Sequence, residues 1–314
     1  MKNVILDTDP GIDDAVAIMF ALGSGQLALK AITTVSGNLP ADRCSTNARK
    51  ILELIGAEHI PVSRGMQSPL VRAYPKDPFS HGDDGLGNLG LPEPTMREDS
   101  RFAPDLLVDM VNEYAGDISI IGIAPLTNLA LAVMKDPQLP RKVRELIIVG
   151  GAYGFDSAGS LRATGDNPVS EWNIYVDPEA ARIVFNAGFN LTAIGLDVAT
   201  HHSIALDRQQ RATLASSASK AAWFLSGVVD FVESRGFGSY CALIDSLAIA
   251  VALDPTIAST EAVHVGIETQ GELTVGQTVV DRREHFQWTH LPLVNVASAI
   301  DAGRFFELLF KAIT

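Results

Sequence analysis

Cysteine is scarce in this chain: two residues in 314, Cys44 and Cys241, with no CxxC spacing. That leaves no basis for a disulfide framework or a thiolate zinc site, and a reducing, cytoplasmic setting is expected. An uninterrupted apolar run of about 18 residues is nowhere present, so no transmembrane helix is expected. The opening has one Lys and then a strand-like run ending in acids, without the apolar stretch and small-residue cleavage site of a signal peptide. Positive charge is also in deficit. The net charge of −13 argues against nucleic acid or an anionic membrane as partner. Repeats and low-complexity linkers are absent. What remains, 47% hydrophobic and 19% charged residues, excludes wholesale disorder and can bury a large core, as one α/β domain or two smaller ones.

The most informative stretch is the opening, Asn3 to Ala17 (NVILDTDPGIDDAVA). It reads as a buried strand, a Pro-Gly turn and the first turn of a helix. Asp7, Asp9, Asp13 and Asp14 put four carboxylates into eight residues, with no Lys or Arg between Lys2 and Lys30. Crowded like charges need protonation, solvent or a cation. A helix N-terminus contributes only ~0.3–1 kcal/mol per charge, so a bound divalent ion is the stronger remedy. All-oxygen ligation points to Ca²⁺ or Mg²⁺. The plainer reading makes Asp13 a helix cap and leaves the other acids in solvent.

Further along, strands are expected at 27–35, 60–63, 118–123, 145–149, 191–196 and 272–280. Helices are expected at 41–55, 103–114, 177–187, 208–217, 221–234 and 302–313, and one runs from the turn at 124–128 to about Met134, with Thr127 or Asn128 as its cap. Alternation of this kind predicts a mostly parallel sheet flanked by helices. Two long irregular segments, 65–101 and 152–173, follow strands, and ligands of open α/β sheets sit beyond the strands' carboxyl ends. The opening acids, Asn38, the loop of His81 and the loop of Trp172 can therefore meet at one rim. Asp245 lies alone in the apolar run CALIDSLAIAVAL, which costs several kcal/mol unless it finds a partner. It is a helix cap, a buried acceptor, or a ligand facing the opening acids. His201-His202 reads as part of a polar loop, not as a metal site.

In order, DTDPGIDDAVAI (7–18), TTVSGN (33–38), HGDDGLG (81–87), APLTNLALA (124–132), VGGA (149–152), SEWNIYVDPEAA (170–181), GLDV (195–198) and TVVDRR (278–283) resemble the inosine-uridine-type nucleoside hydrolases. The resemblance implies a single α/β domain over 1–314 that binds Ca²⁺, cleaves the N-glycosidic bond of ribonucleosides to base and ribose, and forms a homodimer or homotetramer. By matching positions, Asp9, Asp14, Asp245 and the backbone carbonyl of Ile123 would hold the metal. Asp13, Asn38, Glu171 and Asn173 would hold ribose hydroxyls, with Trp172 beside them and His81 near the sugar or base. Asp9 is the expected general base for the attacking water.

Two positions depart from the family pattern. Ile244 stands where His or Trp usually precedes the acid, leaving His81, Tyr240, His202 and Trp288 as candidates to protonate the leaving base. Gly165 stands where Asn usually contacts the 5′-hydroxyl, with Asp166 or Asn167 as replacements. Two other readings fit parts of the pattern: a non-catalytic nucleoside or pentose sensor, and a Mg²⁺-dependent phosphatase of the haloacid-dehalogenase type. Ribose release by the Ca²⁺-loaded protein, with phosphate release at background, separates hydrolase from phosphatase.

Overall fold

A computed structural model describes residues 1–75, 80–155 and 160–314. Nine strands among the described residues form one sheet: β1 (Lys2–Thr8), β2 (Leu27–Thr34), β3 (Val62–Arg64), β4 (Ile118–Gly122), β5 (Leu146–Val149), β6 (Leu191–Ile194), β7 (Ala258–Ile267), β8 (Thr278–Asp281) and β9 (Leu293–Ile300). Their order is β3-β2-β1-β4-β5-β6-β9-β7-β8. Every pairing from β3 to β9 is parallel, and only β7 runs antiparallel to its neighbours β8 and β9. The expected mostly parallel α/β architecture is what the chain adopts.

The apolar runs explain the layering. Val4 and Leu6 of β1 face one core, shared with Phe20 and Phe224, while Ile5 faces the other, shared with Leu106 and Val184. A strand covered on both faces has no polar side to show, hence the unbroken VIL. The helix Ile12–Gly23 packs against helices Ser246–Leu253 and Ala302–Ile313, so both ends of the chain meet beneath the same face. No described helix is long and apolar enough to cross a membrane.

Sheet order positions the site. From β1 the chain steps outward through β2 and β3, then returns to the other side of β1 as β4. The strand order therefore reverses between β1 and β4, where ligands bind in such sheets. At that seam Asp7 pairs with Gly122, and the Ile123 N–H donates to the Asp7 carbonyl at 2.8 Å.

Several local expectations are corrected. The helix after β4 is Thr127–Lys135, and neither Thr127 nor Asn128 caps it. The Thr127 hydroxyl instead donates to Asp177 Oδ2 at 2.7 Å, and Asn128 reaches across the sheet to Asp7 Oδ1 at 2.9 Å. The 191–196 strand stops at Ile194, because a short helix, Leu196–Ala199, begins after Gly195. Only 278–280 of the 272–280 stretch is strand, within β8; the Val275 N–H turns back to the Gly271 carbonyl at 3.0 Å, and Gly276 sits at φ +81°. Strands β7 and β9 lack an apolar run or clean alternation, and the sequence gives no expectation of either.

Asp7 and Asn128 hold the seam. Asp7 is fully buried, and burial pushes its carboxyl up to about 7, against the hydrogen bonds from Asn128 and Thr33. The same Asn128 amide donates to the Thr34 carbonyl at 3.0 Å and accepts from the Met66 N–H at 3.1 Å. Asn128→Ala leaves these groups unsatisfied in the core and should destabilise the fold by roughly 1–3 kcal/mol in denaturant titration. An unchanged midpoint would mean that water replaces the amide.

Candidate active site

The Pro10-Gly11 turn lifts the chain from β1 into helix Ile12–Gly23 and points its acids back at the seam. Asp14 is fixed by four donors. Its Oδ1 accepts from Thr8 Oγ1 at 2.5 Å and the Asp9 N–H at 3.1 Å; its Oδ2 accepts from the Gly11 N–H and Asn38 Nδ2, both at 3.0 Å. The cap position is Gly11, so Asp13 is not a cap. Asp9 accepts the Asn38 N–H on Oδ2 at 2.6 Å, and its Oδ1 is buried with no partner. Position 37 must be glycine, since a Cβ there would lie 2.0 Å from Asp9 Oδ2.

Asp245 reaches this cluster from far along the chain. It occupies the N-cap position of helix Ser246–Leu253, yet its side chain makes no capping bond. Carboxylate oxygens of Asp13, Asp14 and Asp245 lie within 4.8 Å of one another. Asp9, Asp13 and Asp245 are held well above the ordinary carboxyl range. Burial is the main cause for each, followed by the charge of Asp14 for Asp9 and Asp13, and of Asp13 for Asp245. The buried oxygens Asp9 Oδ1 and Asp13 Oδ1 have no donor. Orphaned buried acceptors, an oxygen-only donor set and close like charges fit a hard divalent cation. Ile123 lines the same cavity, and its carbonyl accepts Asn173 Nδ2 at 3.3 Å.

A cavity of about 260 Å³ opens beside the acids, and Asp13, Asn38, His81, Ile123, Glu171 and Asp245 are part of its lining. Trp172 and Asn173 line it too. Segments far apart in the chain thus share one rim. Glu171 caps helix Trp172–Val176, accepting the Asn173, Ile174 and Gly151 N–H groups at 2.9, 3.1 and 2.9 Å. Burial raises its carboxyl to about 7, opposed by those bonds. The Asn173 amide also donates to the Val149 carbonyl at 3.0 Å, tying the ends of β4 and β5. His81 Nδ1 accepts the Ile12 N–H at 3.0 Å and lies 3.8 Å from Asp13 Oδ1.

Of the four candidates for leaving-group protonation, only His81 lines the cavity. Tyr240 folds against Gly238 in a 3₁₀ turn, His202 lies 4.0 Å from the His201 ring, and Trp288 stacks near Arg283 at 4.9 Å beyond β8. His201 and His202 lie in a loop and 3₁₀ turn, as read from the sequence. A Cβ on Gly165 would lie 2.5 Å from Ser170 Oγ, so no side chain fits there. Asn167 is engaged with the Val275 carbonyl at 2.8 Å, and Asp166 lines the cavity instead. Sequence reading missed Leu161, Val232, Phe237 and Cys241, which also line it. The one signal pointing to them was Phe237 set between Gly236 and Gly238.

Fold and rim define a parallel α/β protein with a carboxylate-floored pocket at its topological switch point. The model of the inosine-uridine preferring nucleoside hydrolase family matches residues 4–307, and the chain belongs to that family. It is 37% identical over 317 residues to an inosine-uridine preferring nucleoside hydrolase of Leishmania major, covering 99% of this chain and 97% of that one. It is 36% identical over 311 residues to a pyrimidine-specific ribonucleoside hydrolase of an Enterobacter species, covering 98% and 96%. A solved plant nucleoside hydrolase superposes with a TM-score of 0.90 at 35% identity, covering 99% of both chains.

The raised acids give a stability signature. The folded protein holds protons on Asp9, Asp13 and Asp245 that an unfolded chain releases near pH 4, so metal-free stability falls as pH rises above about 4. In chelator, Tm should drop between about pH 5 and 8, and excess Ca²⁺ should flatten that slope. A Tm that rises with pH in chelator would contradict proton retention by these three acids in the folded state.

Proposed function

We propose that this chain hydrolyses the N-glycosidic bond of ribonucleosides to free base and ribose, as one domain over 1–314, with Asp9, Asp14, Asp245 and the Ile123 carbonyl as the groups that would hold Ca²⁺. The observation that carries the reading is the meeting of buried Asp13, Asp14 and Asp245 carboxylates in a chain of this family, beside Asp9 Oδ1 and Asp13 Oδ1, which have no donor. Ca²⁺ suits several oxygen donors of differing reach better than the strict octahedron of Mg²⁺ does. When bound, the ion supplies charge that orients a sugar diol and acidifies water.

The chain's own groups divide the remaining work. Asp9 Oδ1 takes the proton of the attacking water; the Asn38 N–H on Oδ2 fixes the carboxylate's direction. Asp13, Asn38, Glu171 and Asn173 receive the ribose hydroxyls, and Trp172 closes one side of the sugar. Their acids also favour a ribosyl centre that turns positive as the base leaves. Because the Ile12 N–H occupies Nδ1 of His81, the neutral ring carries its proton on Nε2, from which it donates a hydrogen bond to the leaving base.

The same reading takes the working unit as a homodimer or homotetramer, supported by exposed apolar side chains away from the cavity such as Val71, Trp223, Leu273 and Phe286. It places the protein in a reducing, cytoplasmic compartment, in keeping with two free cysteines.

A nucleoside panel assayed for free ribose, with and without chelator, tests reaction and metal together. Ribose should appear with Ca²⁺ and vanish with chelator; nucleoside binding in calorimetry without sugar release would favour the sensor reading. Asp9→Asn should keep the fold and lower kcat by about 10²–10⁴-fold, as expected for a lost proton acceptor. A near-normal rate would move the base role to another residue.

A further inference from the structure

The acids and amides account for the sugar end of the cavity, but not for the opposite wall. There Leu161 comes from one irregular segment, Val232 and Phe237 come from the end of helix Lys220–Ser234 and the turn after it, and Ile244 comes from the turn before helix Ser246–Leu253. None of these four side chains carries a polar atom. Leu161 and Phe237 are 39% and 46% exposed, unusual for large apolar residues in contact with a cavity.

Both are held in place by their backbones. The Leu161 N–H donates to Thr200 Oγ1 at 2.7 Å. The Phe237 N–H donates to the Val232 carbonyl at 3.1 Å across the left-handed Gly236, φ +86°. That bond closes the helix end and fixes Phe237 where it lines the cavity.

Resting on the reading of the site as a nucleoside pocket, we propose that Phe237 and Leu161 form an apolar clamp that takes the faces of the nucleobase, and that Phe237 is the specificity-determining residue of this chain. With the diol drawn to the acids, the base must lie on the remaining wall, and a flat ring buries both side chains. Phe237 thereby supplies the aromatic surface that Ile244 lacks. No described clamp side chain reads a base edge by hydrogen bonding, so bases are graded by the area they stack. Purine and pyrimidine ribosides are both accepted, and the larger ring has the lower KM.

The test compares wild type with Phe237→Ala, Leu161→Ala and Phe237→Tyr on inosine and uridine, with ribose as a sugar-only inhibitor. Phe237→Ala should raise KM on the order of tenfold, more for inosine than for uridine, the scale of one lost base–aromatic stack. Leu161→Ala should follow in the same direction, Phe237→Tyr should stay near wild type, and the ribose inhibition constant should not move in any variant. KM unchanged in Phe237→Ala, or a ribose constant that shifts with it, would overturn the clamp while leaving hydrolysis intact. Absence of ribose release by wild type would instead overturn the nucleoside-hydrolase reading beneath it.

Discussion

Repulsion among buried carboxylates at the end of β1 is the constraint that the rest of the molecule serves. Asp13, Asp14 and Asp245 present oxygens within 4.8 Å of one another. At that spacing each charged pair costs on the order of 3 kcal/mol even at an effective dielectric near 20. A helix N-terminus returns only about 0.3–1 kcal/mol per charge. Hydrogen bonding satisfies Asp14 but leaves Asp9 Oδ1 and Asp13 Oδ1 with nothing. The acids therefore remain either protonated or gathered around a cation, and the surrounding fold is what prevents them from separating.

That fold does so by topology. The switch between β1 and β4 opens a crevice, and amide side chains brace it: Asn128 reaches Asp7 across the switch, and Asn173 ties the adjoining ends of β4 and β5 through the carbonyls of Ile123 and Val149. Amides both donate and accept without charge, so they brace an acidic seam without neutralising it. Glu171 is fastened by three backbone N–H groups and so presents a carboxylate whose position does not depend on what occupies the cavity.

Much of this was legible in the sequence, for physical reasons. Four acids across a Pro-Gly turn have few stable arrangements, and strands covered on both faces need unbroken apolar runs. Asp245 was conspicuous because a lone acid in an apolar run must have a partner. Strands β7 and β9 escaped notice because their strand character is specified by pairing partners, not by local pattern. Thr127 and Asn128 have good capping side chains, but buried acceptors across the sheet compete for them. The clamp was invisible for a related reason: nothing local distinguishes Phe237 from a surface aromatic until the helix end aims it at the cavity.

Helix Ser246–Leu253 is buried from Ser246 to Ala252, so Asp245 stands on a post with no freedom to tilt. Its neighbour Ile244 belongs to the turn before that post and lines the same cavity. Mutation at Ile244, or along the Phe237 turn, can remodel what the pocket accepts without disturbing how it grips the pentose. Substrate range in this lineage is then free to drift while the chemistry stays put, a division of labour between a rigid anvil and an evolvable rim.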